Sequence, residues 1–270
     1  MKPGVIGQTL DTLAWLGVDW DGDALIQSER LADHEAAMRE LARRGLVYPC
    51  ELTRSEIEAA ASAPQEGTGE ARFGPELRPV GIGPTAFESA PEGAGTNWRF
   101  ATEPGEVAFD DAFAGAQRVD PAGSVGDFVV WTKRGTPAYQ LAVVVDDATE
   151  CVTQIVRGDD LIDSAGRQLL LYRALGLSPE PAYTHLPLVR GADGRRLAKR
   201  HGDTRIDAYR ARGVPVERIV GLCAWWCGIT RAREPMDAAE FRARFDLSTM
   251  PAGDVVFGAE DEAWLCDSRG

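Results

Sequence analysis

"VTQIVRGDDLIDSAGRQLLLYRALG", residues 152–176, changes its period in mid-course. The first part is strand-like, with Ile155 and Val156 leading to Arg157, Gly158, Asp159 and Asp160. The second part is helical, with Ser164 as its expected cap and Gly176 as its stop. A strand that hands charged residues to a helix start is the βα unit of an α/β sheet, and ligands gather at such strand ends. Arg157 can fork onto a carboxylate or a phosphate. The same residues also suit an ordinary Arg–Asp pair at a surface turn, and this stretch alone leaves both readings open.

Strand and helix signals continue on both sides. Upstream, "VIGQTLDTLAWLG" (5–17) has helical spacing, and Ser28 is the expected N-cap of a helix through "ERLADHEAAMRELARR", ended by Gly45. "LVYPC" (46–50) reads as a short strand, and Thr53 with Glu56 forms a capping-box pattern. Residues 63–95 are rich in Gly, Pro, Glu and Ala and read as an irregular insertion. Strand signals resume in "NWRFATE" (97–103) and "DFVVWTKRGTPAYQLAVVVDD" (127–147), with a turn at Lys133–Gly135 in the latter. "LAVVVDD" (141–147) fits a buried strand or a helix equally. "AYTHLPLV" (182–189) is a strand before an Asp193–Gly194 turn, and helices follow from Asp203 or Thr204 to Gly213 and from Pro215 onward. The alternation predicts an α/β fold with a mainly parallel sheet.

The 270 residues carry a net charge of −13, which argues against a general nucleic-acid coat but permits a local basic patch. No apolar run is long enough for a membrane span, and the N-terminus lacks a secretory core, so the expected compartment is the cytoplasm. Five scattered cysteines fit a reducing environment. The clearest basic patch is "GRRLAKRHGD" (194–203), with Arg195, Arg196, Lys199 and Arg200 between two glycines. It reads either as a lid over a polyphosphate or as a solvated basic turn.

In their order and spacing, "TPAYQLAVVVDD" (136–147), the opening stretch, "THLPLV" (184–189) and "GRRLAKRHGD" resemble the catalytic domain of the class I glutamyl-tRNA synthetase family. So do "LAWLGVDWDG" (13–22) and "QSERLADHEAAMRELARRGLVYPCELTRSEI" (27–57). The likeness runs from Lys2 to Arg205. It is strongest to the family's short branch, which has no anticodon-binding region and glutamylates queuosine in tRNA(Asp). The resemblance implies a Rossmann-like α/β catalytic domain over 1–205, with an inserted α+β subdomain near 46–125 and a helical C-terminal region over 206–270. It places Tyr139 and Arg157 on the glutamate substrate. It also matches Arg196, Leu197, Ala198, Lys199 and Arg200 to the ATP-binding KMSKS-type loop, with Lys199 as the catalytic lysine and Ala198 in place of the usual serine. ATP with Mg²⁺, glutamate and tRNA are the implied partners of a monomeric ligase.

Two departures from the family pattern stand out. The family's zinc module uses Cys-x-Cys after "YP" and a later Tyr…Cys. Here Cys50 is followed by Leu52, and Phe73 and Leu77 stand at the later positions, so zinc is not expected. Cys223 and Cys227, one helical turn apart, are expected to pack in a core beside Trp225 and Trp226. The chain also begins where the family is past its first two strands, without a HIGH-type motif, and His34, His185 and His201 do not replace it. His185 matches a position near the nucleotide, or is a satisfied strand histidine. A domain without those strands is expected to expose unpaired sheet edges. Two explanations stay open: a start codon upstream of Met1, or a non-catalytic remnant that binds glutamate or RNA. A truncated glutamyl-tRNA synthetase is a further alternative.

Overall fold

The structure is a computed structural model that describes residues 4–53, 55–57, 72–89, 95–197 and 206–267. The chain divides into two compact units, Ala24–His185 and a second made of Met1–Asp23 with Leu186–Gly270. Helix α1 (Val5–Trp15) belongs to the second unit.

The larger unit begins with a single 3₁₀ turn at Gln27–Glu29, and α2 (Leu31–Arg43) follows. Ser28 lies inside that turn and Arg30 occupies the N-cap, so the expected serine cap does not form. The helix does end at Gly45, whose φ of +70° is a left-handed conformation open to glycine. A side chain there would also strike the Gly83 backbone at 2.8 Å. Strands β1 (Val47–Cys50), β2 (Asn97–Phe100), β5 (Phe128–Thr132) and β6 (Thr136–Pro137) form one sheet in that order. A second sheet runs β4 (Gly115–Val119), β3 (Val107–Asp111), β8 (Ala182–Leu186) and β7 (Gln154–Gly158). Between β4 and β5 lies the short α3 (Pro121–Ser124), capped by the Asp120 carboxylate.

The expectation of a mainly parallel sheet fails in these ladders. The pairs β1–β2, β2–β5, β5–β6 and β3–β4 are antiparallel, and β3–β8 is parallel. The connections Ala112–Ala114 and Lys133–Gly135 are hairpins, far too short for the crossover that a parallel neighbour requires.

"LAVVVDD" resolves as helix: α4 spans Tyr139–Thr149. Leu141, Ala142, Val144 and Val145 are buried on its inner face, the spacing of a helix rather than a strand. Leu141, Val144 and Val145 meet Met38 and Leu41 of α2, Phe128, Val130 and Trp131 of β5, and Leu171 and Tyr172 of α5 (Ile162–Leu175) in the main core. Each such large side chain contributes about 1.5–3 kcal/mol by leaving water. Helix α5 begins after a 3₁₀ turn at Asp159–Leu161, with Leu161 as N-cap. Ser164 is therefore a buried residue within α5 and not its cap. The other face of α5 sets Ala165 and Leu169 against Val107 of β3 and Tyr183 of β8.

In the second unit, β9 (Val189–Gly191) pairs in parallel with β10 (Val255–Phe257). Helices α6 (Ile206–Ala211), α7 (Val216–Trp226), α8 (Ala238–Arg244) and α9 (Ala259–Cys266) complete it. Tyr209, Val214, Ile219, Leu222 and Leu265 are its core, with Trp15, Trp225, Trp226 and Trp264 packed around them. The C-terminal region is thus helical with one added strand, β10.

Candidate active site

Arg157 lies near the end of β7, where the backbone enters the turn before α5. Three contacts fix its guanidinium. Nε donates to His185 Nε2 at 3.0 Å, Nη1 to Gln168 Oε1 at 2.9 Å and Nη2 to the Leu161 carbonyl at 3.2 Å. The group lies 5.3 Å from the ring centre of Tyr183, within cation–π range. None of these hydrogen bonds goes to a carboxylate, so the surface Arg–Asp pair is not what holds this residue.

Behind Arg157 stand two groups that sequence reasoning did not connect. His185 is buried, and its Nδ1 lies 2.6 Å from Asp111 Oδ2. Because Nε2 receives the Arg157 proton, the imidazole hydrogen sits on Nδ1 and is donated to Asp111. Asp111 also accepts from the backbone N–H groups of Phe113 (3.0 Å), Ala114 (2.7 Å) and His185 (3.1 Å). Burial by itself raises this carboxyl's pKa, but the hydrogen bonds from Ala114, His185 and Phe113 outweigh it and the net shift is downward. With both ring nitrogens occupied, His185 is a satisfied strand histidine.

To one side, Gln168 Nε2 donates to Gln140 Oε1 at 2.9 Å, and Gln140 Nε2 donates to Ser164 Oγ at 3.1 Å. Gln140 is the neighbour of Tyr139, so this amide chain ties the start of α4 to Arg157. Tyr139 itself is the first residue of α4 and 53% exposed, open to a ligand. Asp147, farther along α4, is raised above the usual carboxylate range by burial and by the charge of Asp146, with Arg157 opposing.

The basic loop rises from the second unit. Gly191 N–H bonds to the Arg195 carbonyl at 2.8 Å and Leu197 N–H to the Val189 carbonyl at 3.0 Å, which makes Arg195–Leu197 the returning arm of a hairpin. Its turn is the expected one: Gly194 has φ +73°, and Asp193 Oδ1 accepts from Arg195 N–H at 2.9 Å. Arg196 and Leu197 are on this arm, whereas Ala198, Lys199 and Arg200 lie outside the described residues.

The region matching the zinc module holds a different arrangement. Cys50 and Phe73 are buried in one apolar cluster with Tyr48 and Ile57, and Leu52 and Leu77 pack against it. The close approach is made by the backbone of Gly126, where a Cβ would stand 1.9 Å from the Phe73 carbonyl oxygen. One thiol, two leucines and a phenylalanine do not fit a zinc ion. Among the described residues, no group of three His, Cys, Asp or Glu is placed to hold a metal. Likewise, no helix among them is long and apolar enough to cross a membrane.

Comparison with known proteins agrees with this fold. Residues 1–261 match the family described as tRNA synthetases class I (E and Q), catalytic domain. The chain is 42% identical to a glutamyl-Q tRNA(Asp) synthetase of Symbiobacterium thermophilum, over 98% of its own length and 84% of the relative's. A glutamyl-Q tRNA(Asp) synthetase of Rhodopirellula baltica is 45% identical over 85% of this chain and 71% of the relative. Among solved structures, the glutamate-tRNA synthetase of Elizabethkingia anophelis superposes with a TM-score of 0.74 at 22% identity. That match covers 97% of this chain and 60% of the solved one. The chain belongs to the catalytic-domain family of class I tRNA synthetases of the E and Q type.

Proposed function

We propose that this protein activates glutamate with ATP and transfers it to queuosine in tRNA(Asp). The observation that carries the reading is the fixed, part-buried guanidinium of Arg157, in a chain whose relatives above are named glutamyl-Q tRNA(Asp) synthetases. Among the described residues, three of its N–H groups are spent on the protein and one on each terminal nitrogen remains, the pair that a carboxylate accepts. Arg157 holds a glutamate carboxylate, and the exposed Tyr139 hydroxyl adds a hydrogen bond. The α-carboxylate attacks the α-phosphorus of ATP, forming the acyl adenylate and breaking the bond to pyrophosphate. Arg196 and Lys199 of the basic loop bind the phosphates, and Lys199 neutralises the charge that builds on the leaving pyrophosphate. Mg²⁺ carried in with ATP would supply further neutralisation of that charge. The queuosine hydroxyl then displaces AMP. The working form is a cytoplasmic monomer.

The test is glutamate-dependent exchange of labelled pyrophosphate into ATP by the protein expressed from its complete open reading frame. Transfer of labelled glutamate to tRNA(Asp) with and without queuosine follows. Exchange and queuosine-dependent transfer are expected. Absence of exchange overturns the reading, and glutamate binding without exchange would mark a non-catalytic binder. Charging of the 3′ end of tRNA(Glu) would favour a glutamyl-tRNA synthetase instead.

A further inference from the structure

A part-buried arginine, as Arg157 is, is commonly anchored by a carboxylate touching it directly, and such a pair cancels much of its charge. Arg157 is anchored otherwise. A carboxylate, Asp111, does lie behind it, but the His185 ring stands between the two. The ring accepts from Arg157 Nε on one side and donates to Asp111 on the other, so its tautomer and orientation are set by both neighbours. Asp111 in turn cannot swing away, because the backbone N–H groups of Phe113, Ala114 and His185 hold it. Coulomb attraction falls with distance, so a carboxylate one imidazole away neutralises the guanidinium far less than one in contact.

We propose that Asp111 and His185 form a positioning pair: they fix the guanidinium of Arg157 while leaving its positive charge for an acidic ligand. This rests on the reading of Arg157 as the residue that holds glutamate. Neither Asp111 nor His185 touches the substrate. Their effect is confined to the orientation and charge of Arg157, and therefore to the affinity for glutamate and its preference over glutamine.

The substitutions separate this role from simple packing. In D111N the amide nitrogen facing His185 is a donor, which drives the imidazole hydrogen to Nε2 and sets it against the Arg157 Nε–H. H185F keeps a ring but removes both contacts. H185Q keeps an acceptor for Arg157 and a donor for Asp111. The measurements are L-glutamate binding by calorimetry and the KM values for glutamate and ATP in pyrophosphate exchange, together with the melting temperature. D111N and H185F are expected to raise the dissociation constant and KM for glutamate about tenfold and H185Q only about threefold, the range of one lost charged hydrogen bond. KM for ATP stays unchanged, and the glutamate-to-glutamine preference falls in H185F. Unaltered glutamate binding in D111N and H185F overturns the proposal, as does equal loss in H185Q and H185F.

Wild-type protein that neither binds glutamate nor exchanges pyrophosphate defeats the functional reading instead. The pair is then judged by ¹⁵N NMR of the same proteins. A hydrogen on His185 Nδ1 and a slowly exchanging Arg157 Nε–H that is lost in D111N sustain the pair. An Nε–H equally protected in H185F overturns it.

Discussion

The cluster around Arg157 and the cluster around Cys50 belong to the same unit and use opposite means to hold their loops. Around Arg157, polar groups join in series: Asp111 to His185, His185 to Arg157, Arg157 to Gln168 and Gln168 to Gln140. Each member has its partners fixed, and removing one leaves another buried and unsatisfied. Around Cys50, the side chains at positions matched to metal ligands are hydrocarbon or a buried thiol, and they exclude water together. A polar chain fixes direction, which a substrate-holding group needs. An apolar cluster fixes only proximity, which suffices to close a loop onto a sheet.

The largest expected effect lies on the polar side. R157M keeps much of the side chain's volume but removes the fork, and kcat/KM for glutamate in pyrophosphate exchange is expected to fall about a thousandfold. Melting temperature should change little by comparison. A loss under tenfold would show that the polar chain serves the fold more than the ligand.

On the apolar side the dependence reverses. Phe73 is 1% exposed and lies under the Arg99 guanidinium at 4.0 Å. F73A is expected to cost about 3 kcal/mol of stability in chemical denaturation, through lost burial and the cavity left behind. KM for glutamate should stay within about twofold, since distant sites add independently. A large change in glutamate binding would break the separation between the two clusters.

What the sequence disclosed differs between these clusters for physical reasons. The place of Arg157 near a strand end before a helix was legible in the change of period, whereas the stretch alone left its role open between a ligand fork and a surface pair. The stops at Gly17, Gly45 and Gly176 were legible because each glycine has a left-handed φ. The β3–β4 hairpin escaped notice, and Asp111 with it. In "VAFDDAFAGAQRV" the turn signals, Asp111 and Gly115, flank the Ala112–Ala114 turn, and no run of β-branched residues marks the strands on either side. Asp111 is buried only because backbone N–H groups satisfy it, and no residue letter records those donors. Strand β10 was invisible for a related reason: its partner β9 is distant in sequence. Ser28 misled as a cap because the 3₁₀ turn at Gln27–Glu29 delays the start of α2 to Leu31, and Ser164 because the turn at Asp159–Leu161 lets α5 start earlier, at Ile162.

A smaller effect follows from the carboxyl of Asp111. Its folded pKa lies below the unfolded value, so the unfolded chain binds a proton more readily as pH falls. The stability it supplies is fully present above the unfolded value of about 4 and is lost as pH falls through the folded one. Urea midpoints measured on acidification should therefore fall less steeply for D111N than for the wild type. Parallel curves would mean that the backbone donors around Asp111 do not favour its ionised form.

The smallest effect tests whether apolar packing is also the fate of the cysteines in the second unit. Cys223 and Cys227, one turn apart on or beside α7, have the spacing of a ligand pair, which metal binding would require to ionise. Burial instead pushes the Cys223 thiol up to about 11, with Cys227 adding to the shift, and burial raises Cys227 as well. For a raised group the stability is present below the unfolded thiol value and is lost as pH rises through the folded one. At pH 8, a water-soluble thiol reagent should therefore label the exposed Cys151 well before Cys223, as mass spectrometry of the partly labelled chain would show. Early labelling of Cys223 would mean an accessible thiolate and return the pair to the polar side of the comparison.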